Sequence, residues 1–468
     1  MSRILHAEVL RTIRFSLLLV ISASMLFAQG GYAVVNGRVL DASSAVMPNV
    51  PVTARNISTG VVFNSVSNGE GYYTFLNLIP GNYTINARQQ GFKNLERTDI
   101  VLQVGDRVEV NLVLQIGEAS QQVTVTGPAL LLRTDDAQSG MVVDNKRIQE
   151  LPAYDRNVLA FASLVANVNG TDEQAGQKTD FRINGGRSAQ AEYYVDGVPV
   201  TTSYLHNVPP SIPSMEAVEE FNVVTNGMSA EYGRLSGGGV VLVTRSGTNQ
   251  FHGSLYEYLR NQDLNANTWS ANRYGQPIGV FHDNVFGGTF GGPVILPKLY
   301  NGHDKTFFFF NHEGTRHVSG SSATLAGVPT TLERQGDFSQ GLIGNGVPVM
   351  VYDPNTGVTA ANGDVIRQPF AGNIVPKSRF DPLSVAYLGY YPMPNTAPLP
   401  GSSDANNYVG NQLNPTSDGR WTGRLDQNWS SKQSTHFTLT FDQFQNLLTG
   451  WSAVPEHHDI RDFVFHFD

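Results

Sequence analysis

Four clusters hold residue types that could do chemistry: Asp135-Asp136, Glu219-Glu220, His457-His458-Asp459, and the glycine-rich FGGTFGG at 286–292. Paired carboxylates do acid/base work only when both face one substrate. Adjacent residues of a strand point to opposite faces, so neither acid pair converges and both read as solvated surface. The histidine run is three neighbouring residues on what reads as a loop. FGGTFGG lacks the GK[ST] ending of a phosphate cradle. Pro293 and the β run after it leave no helix N-terminus to hold an anion. Glycines spaced along such a strand instead admit neighbouring side chains. HExxH and GxSxG do not occur. The sequence therefore assigns no catalytic residue, no metal ligands and no cofactor.

The elements that would position any functional residue are strands. Charged residues make up 15%, aromatics 10%, and there are 47 glycines. The charge lies below the roughly 25% of soluble globular chains, and the profile favours β structure with many turns. A net charge of -9 argues against a nucleic-acid partner, which needs a basic face. The chain has no cysteine, which removes disulfides, thiolate catalysis and Cys-ligated zinc together. Arg3, Arg11 and Arg14 precede the apolar stretch FSLLLVISASMLF and the small residues AQG. That stretch is shorter than the roughly 20 residues of a spanning helix, so 1–30 reads as a signal peptide.

Residues 32–115 read as a β-sandwich. Tyr73, Phe75, Tyr83 and Ile85 can face one core, and Val108, Val110, Leu112 and Leu114 follow at period two. NGRVLD, NGEGYYTF, LIPGNYTI and Gly91-Phe92 resemble the carboxypeptidase-regulatory-like domain. That resemblance implies a transthyretin/Ig-like sandwich without peptidase chemistry, serving as a spacer or a glycan binder. QQVTVTG, within a linker at 116–127, is a short β-prone segment, either a last strand or a peptide able to join a partner's sheet edge.

Residues 128–250 read as a mixed α/β unit. NKRIQELP suggests a short helix stopped by Pro152, and RNVLAFASLV a second. The DG of YYVDGVPV reads as a hairpin turn, and a glycine triplet lets the chain turn tightly before VVLVTR. DGVPV and VEEFNVV…AEYGRLSGGGVVLVTRSG together resemble the plug domain of TonB-dependent outer-membrane transporters. The resemblance implies plug-signature roles for Asp196, Gly197, Tyr232, Gly233, Gly237, Gly238 and Gly239. It also places a TonB box at Gln121, Gln122, Val123, Thr124, Val125 and Thr126, although the usual acidic-Thr start is missing and Glu118 lies three residues upstream.

Residues 251–468 read as the first strands of an antiparallel transmembrane β-barrel. WTGRLDQNW puts Trp421, Gly423, Leu425 and Trp429 on one face, and Thr422, Arg424, Asp426 and Asn428 on the other. A five-residue turn, SSKQS, leads to THFTLTFDQF, with Phe437, Leu439 and Phe441 opposite His436, Thr438, Thr440 and Asp442. Charge on one face and Trp at strand ends fit a lipid band around a wet lumen. Residues 318–420, long and polar, read as an extracellular loop region. FGGTFGGPVILPKLYNGHDKTFFFFNHEGTR resembles the Oar-like branch of these transporters. The expectation is a mainly β, non-enzymatic protein of the outer membrane with its sandwich in the periplasm. Its expected partners are TonB of the TonB-ExbB-ExbD complex, outer-membrane lipid and an unknown extracellular ligand such as a siderophore, glycan or peptide. With room for five or six strands, the barrel is expected to be incomplete. A surface adhesin or glycan-binding protein without transport is the alternative.

Overall fold

Period-two alternation governs most of the chain, and strands account for most of what it forms. The computed structural model describes residues 32–118, 121–125, 138–153, 156–169, 181–187, 190–201, 211–227, 232, 237–273, 275, 278–320, 324–343, 347–397, 407–410, 413–431, 433–448 and 456–467. The expected signal peptide, Asp135-Asp136, Thr126 and Gly233 lie outside the described residues.

The N-terminal sandwich holds strands β1 (Ala33–Asp41), β2 (Pro51–Asn56), β3 (Val62–Val66), β4 (Tyr72–Leu78), β5 (Gly81–Ala87), β6 (Asn94–Leu102), β7 (Arg107–Glu109), β8 (Leu112–Leu114) and β9 (Gln122–Val125). One sheet runs β4-β1-β7 with β8 also on β1; the other runs β3-β2-β5-β6-β9. The expected inward set, Tyr73, Phe75, Tyr83, Ile85, Val108, Val110, Leu112 and Leu114, is buried as one core. The Tyr73 hydroxyl, buried within that core, donates to the Val110 carbonyl at 2.6 Å, so its polar end is satisfied.

The mixed unit is a five-stranded sheet in the order β10-β13-β14-β11-β12, built from β10 (Ser139–Asp144), β11 (Ala191–Val195), β12 (Val198–Pro199), β13 (Val218–Asn226) and β14 (Gly238–Thr244). Helix α1 (Asn145–Glu150) starts where the Asp144 carboxylate accepts from Arg147 N at 2.9 Å, an N-cap, and ends before Pro152. The second expected helix is a 3-10 turn, Val158–Leu164. β14 is buried on both faces, as the uniformly apolar VVLV requires.

A wall of six antiparallel strands follows: β15 (His252–Asn261), β16 (Phe281–Pro293), β17 (Thr306–Gly320), β18 (Leu413–Ser430), β19 (Gln433–Leu448) and β20 (Glu456–Phe467), each paired with the next. Two expectations need correction. SSKQS is no five-residue turn, because Ser430 pairs with Gln433 and the strands close around two residues. His457, His458 and Asp459 lie in β20 opposite Leu447, Asn446 and Gln445 rather than on a loop. The glycines of FGGTFGG sit in β16, where a Cβ at Gly287 would lie 2.5 Å from the Tyr256 hydroxyl and one at Gly292 2.4 Å from Phe251.

Facing outward, Phe308–Leu425–Phe437, Phe310–Gly423–Leu439 and His312–Trp421–Phe441 form three adjacent rows. The last row stacks ring on ring, at 4.7 Å and 5.1 Å. Polar rows bound them: Thr306–Gln427–Thr435 at one end, Gly419–Gln443 at the other. Leu425 is 45% exposed whereas inward-facing Thr422 and Thr438 are fully buried. The segment joining β17 to β18 carries short two-residue ladders and helix α2 (Pro382–Leu388). It leaves the wall at the end opposite the two-residue turn, and in membrane barrels short turns mark the periplasmic side.

The sandwich sits at the short-turn end. Asn249 N donates to the Ser58 carbonyl at 3.1 Å, the Asn249 side chain donates to the Thr59 carbonyl at 2.6 Å, and Tyr32 meets His436 of the wall at 2.5 Å.

Candidate functional site: buried charges between the inner domain and the wall

A tight turn at one end of the inner sheet creates the site. Asp196 and Gly197 join β11 to β12 with φ of 47° and 82°, the left-handed pair that an Asp-Gly type I′ turn uses. This geometry aims the Asp196 carboxylate away from the hairpin and toward the wall. It accepts from Thr244 N at 2.9 Å, Thr244 Oγ1 at 2.7 Å, Arg424 Nη1 at 3.0 Å and Thr438 Oγ1 at 2.8 Å. Arg424, on β18, also donates to the Thr244 carbonyl at 2.9 Å and to Asp426 at 2.9 Å. Asp426 in turn accepts from Ser246 at 2.7 Å. The Asp196 and Arg424 side chains are each 1% exposed.

A second cluster lies across the same interface. Arg156 pairs with Glu216 at 3.2 Å and with Glu313 of β17 at 3.5 Å. Its guanidinium sits 4.0 Å above the Tyr258 ring, and the Tyr256 hydroxyl donates to Glu313 at 3.0 Å. Beside these contacts a cavity of about 220 Å³ opens where sandwich, inner domain and wall meet, lined by Asn56, Tyr83, Glu219, Arg245, His252 and Phe307 among others.

The chemistry available here is charge pairing. Each charge of the two clusters meets a counter-charge, and hydroxyls also bond Asp196, Asp426 and Glu313, the condition under which burial is tolerated. Among the described residues no group of three His, Cys, Asp or Glu could hold a metal. A polar interface of this kind holds the inner domain in place yet can be rehydrated when the parts separate.

The glycine triplet works by close approach. Gly238 has φ of 139° and a Cβ there would lie 2.6 Å from Ile183 and 2.8 Å from the Val224 carbonyl. Gly237 precedes it, and Gly239 pairs with Glu192 in β11 and Val224 in β13. Tyr232 sets its ring edge-on to Tyr194 at 5.2 Å. The candidate segment Gln121–Val125 stands apart from the charge clusters, its residues 122–125 forming β9 on the sandwich.

The sequence put Arg424 and Asp426 on the lumen face but gave them no partner; Asp196 is 228 positions away. Arg156, Glu216 and Glu313 were missed. Only Glu313 carried a signal, as it alternates with inward-facing Phe307, Phe309 and Asn311 on β17; Arg156 and Glu216 lie outside the wall strands and had none. Glu220 departs from its expected solvated place. It is 6% exposed and accepts from the Val104 N–H of the sandwich. Burial pushes its carboxyl up to about 8. Glu219 does face out, toward Arg245 at 3.5 Å.

Comparison with known proteins matches this layout. Residues 34–115 match the carboxypeptidase regulatory-like domain, 133–240 the TonB-dependent receptor plug domain and 243–459 an outer membrane beta barrel domain. The TonB-dependent transporter Oar of Myxococcus xanthus is 28% identical over 311 residues, 63% of this chain and 29% of that protein. The chain thus spans under a third of the length of that relative. Among solved structures, the outer membrane transporter YddB from Escherichia coli aligns at 10% identity and a TM-score of 0.42, covering 70% of this chain and 36% of that one. The ferric enterobactin receptor PfeA of Pseudomonas aeruginosa aligns at 12% and 0.34, covering 66% and 33%.

A sandwich, a plug and the strand wall that holds it define an outer-membrane receptor. With all three domains matched in this order, the chain carries the plug and barrel domains of TonB-dependent receptors, with a regulatory-like domain ahead of the plug.

Proposed function

We propose that this chain takes part in TonB-dependent uptake of a large, scarce ligand across the outer membrane. The observation that carries the reading is a plug fixed to its wall by buried, paired charges rather than by an apolar core. Such contacts hold the plug closed at rest and can be exchanged for water when it is pulled. Ligand would enter by the region between β17 and β18. TonB would take Gln121–Thr126 as an added strand, and no bond of the ligand is made or broken. The ferric enterobactin receptor among the neighbours makes a siderophore one candidate ligand; a glycan or peptide fits the same scheme.

The test uses the absence of native cysteine. Single cysteines at 121–126 in the protein in its outer membrane should form disulfides with a cysteine-bearing periplasmic domain of TonB, strongest at alternate positions. Deleting residues 121–127 should abolish capture of that domain. Equal capture by the deleted protein would end the assignment of the box.

A further inference from the structure

Strand β6 is attached to other parts of the molecule at both its ends. At its start, Asn94–Arg97 pair in parallel with Gln122–Val125 of β9. Asn94 N donates to the Gln121 carbonyl at 2.9 Å, the Gln122 amide meets the Glu96 carboxylate, and Val123 packs on the sandwich core. Beyond its other end the chain turns, with Gly105 at φ 74° and the Asp106 carboxylate accepting from Gln103 N at 2.8 Å. That turn drives Val104, 1% exposed, into a cluster of the plug residues Val142, Tyr194, Val241 and Val243. The backbone of Val104 is gripped as well. Its N–H donates to the Glu220 carboxylate, and its carbonyl accepts from the Asn222 side chain at 3.5 Å. Both acceptor and donor belong to β13, an inner strand of the plug sheet. The nine residues of β6, with a bulge at Asp99 (φ 61°) where the register against β5 shifts, therefore join β9 to the plug without using the covalent connection between them.

We infer that the sandwich is a mechanical coupler: β6 carries displacement of β9 to the plug sheet through Val104, holding the plug closed while β9 is paired and loosening it when β9 leaves. Side chains and backbone both hold Val104, so a shift of β6 carried past the bulge at Asp99 moves Val104 in its socket. The use of this device in uptake rests on the reading of Gln121–Thr126 as the partner's strand. The coupling itself is a property of this chain alone.

Hydrogen exchange of the whole protein in detergent micelles, with no partner present, tests it through a double-mutant cycle. Val123→Asp places a charge where β9 packs on the sandwich, and Val104→Ala empties the socket. Val123→Asp should speed exchange of β13 and β14 amides at least tenfold while β2 and β5 keep their protection. In the Val104→Ala background the same change should add less than twofold. Val123→Ser replaces Val123→Asp if the charge also exposes β2 and β5. Unchanged plug exchange in the Val123 variant, or an equal effect with and without Val104, overturns the coupling. Failure of TonB to engage residues 121–126 would instead sink the box assignment and leave the exchange result as it stands.

Discussion

At the level of single residues, the plug is held by charges that cannot be removed one at a time. Arg424→Ala would leave Asp196 and Asp426 buried without their shared counter-charge, a loss of about 3–5 kcal/mol. Chemical denaturation of the protein in micelles should show that loss, and Arg424→Ala with Asp196→Asn and Asp426→Asn should recover part of it. Gly238 is constrained differently, by a φ of 139° and by Ile183 at 2.6 Å from any added Cβ. Gly238→Ala should cost roughly 1–3 kcal/mol in the same measurement; a neutral result would mean the strand can shift away from Ile183. Glu220 gives a pH dependence. Its ordinary value is near 4.5, and burial raises it to about 8. The folded chain therefore keeps a proton that the unfolded chain gives up between those values. Its contribution is complete below about pH 4.5 and is lost as the pH climbs through about 8. Unfolding measured at about pH 5 and about pH 8 should find the wild type weaker at the higher pH, and Glu220→Gln should flatten the difference.

Elements were the most legible level in the sequence. Alternation placed Tyr73, Phe75, Tyr83 and Ile85 in one core, and split β18 into a lumen face and a lipid face, because the strand period depends on each residue's polarity and nothing distant. Asp-Gly marked the I′ hairpin for the same local reason. What escaped was long-range. Nothing near Asp196 announces Arg424, and nothing near Glu220 announces the N–H of Val104, so the first had no partner and the second was misplaced on the surface. SSKQS was drawn as a five-residue turn because polar residues at a strand end look alike whether paired or looped; pairing with a neighbour decides. The place of QQVTVTG was equally undecidable, since a β-prone peptide joins whichever edge its neighbours offer. Its register on β6 can be checked directly. Cysteines at Leu95 and Val123, paired in the ladder, should form a disulfide on oxidation, whereas Leu95 with Thr124 should not. The reverse pattern would shift β9 by one residue.

Across the whole molecule, the sandwich closes against the short-turn end of the wall through Ser58, Thr59 and Tyr32, and against the plug through Val104. Cysteines at Ser58 and Asn249 should therefore cross-link in intact outer membranes, and absence of the cross-link would mean the sandwich spends its time elsewhere. The outward rows of the wall carry a consequence of another kind. From Gln427 to Gly419 the strand rises about 27 Å at ~3.4 Å per residue, and a tilt of about 35–45° reduces that to a height of about 20 Å. A non-polar belt this narrow is mismatched to a thick bilayer and matched to a thin one, and bacterial outer membranes are thinner than average. In vesicles of long-chain lipid the surrounding leaflets would have to compress toward the wall. Membrane thickness, and not only sequence-specific contacts, then helps decide where in the cell envelope this protein can rest without strain.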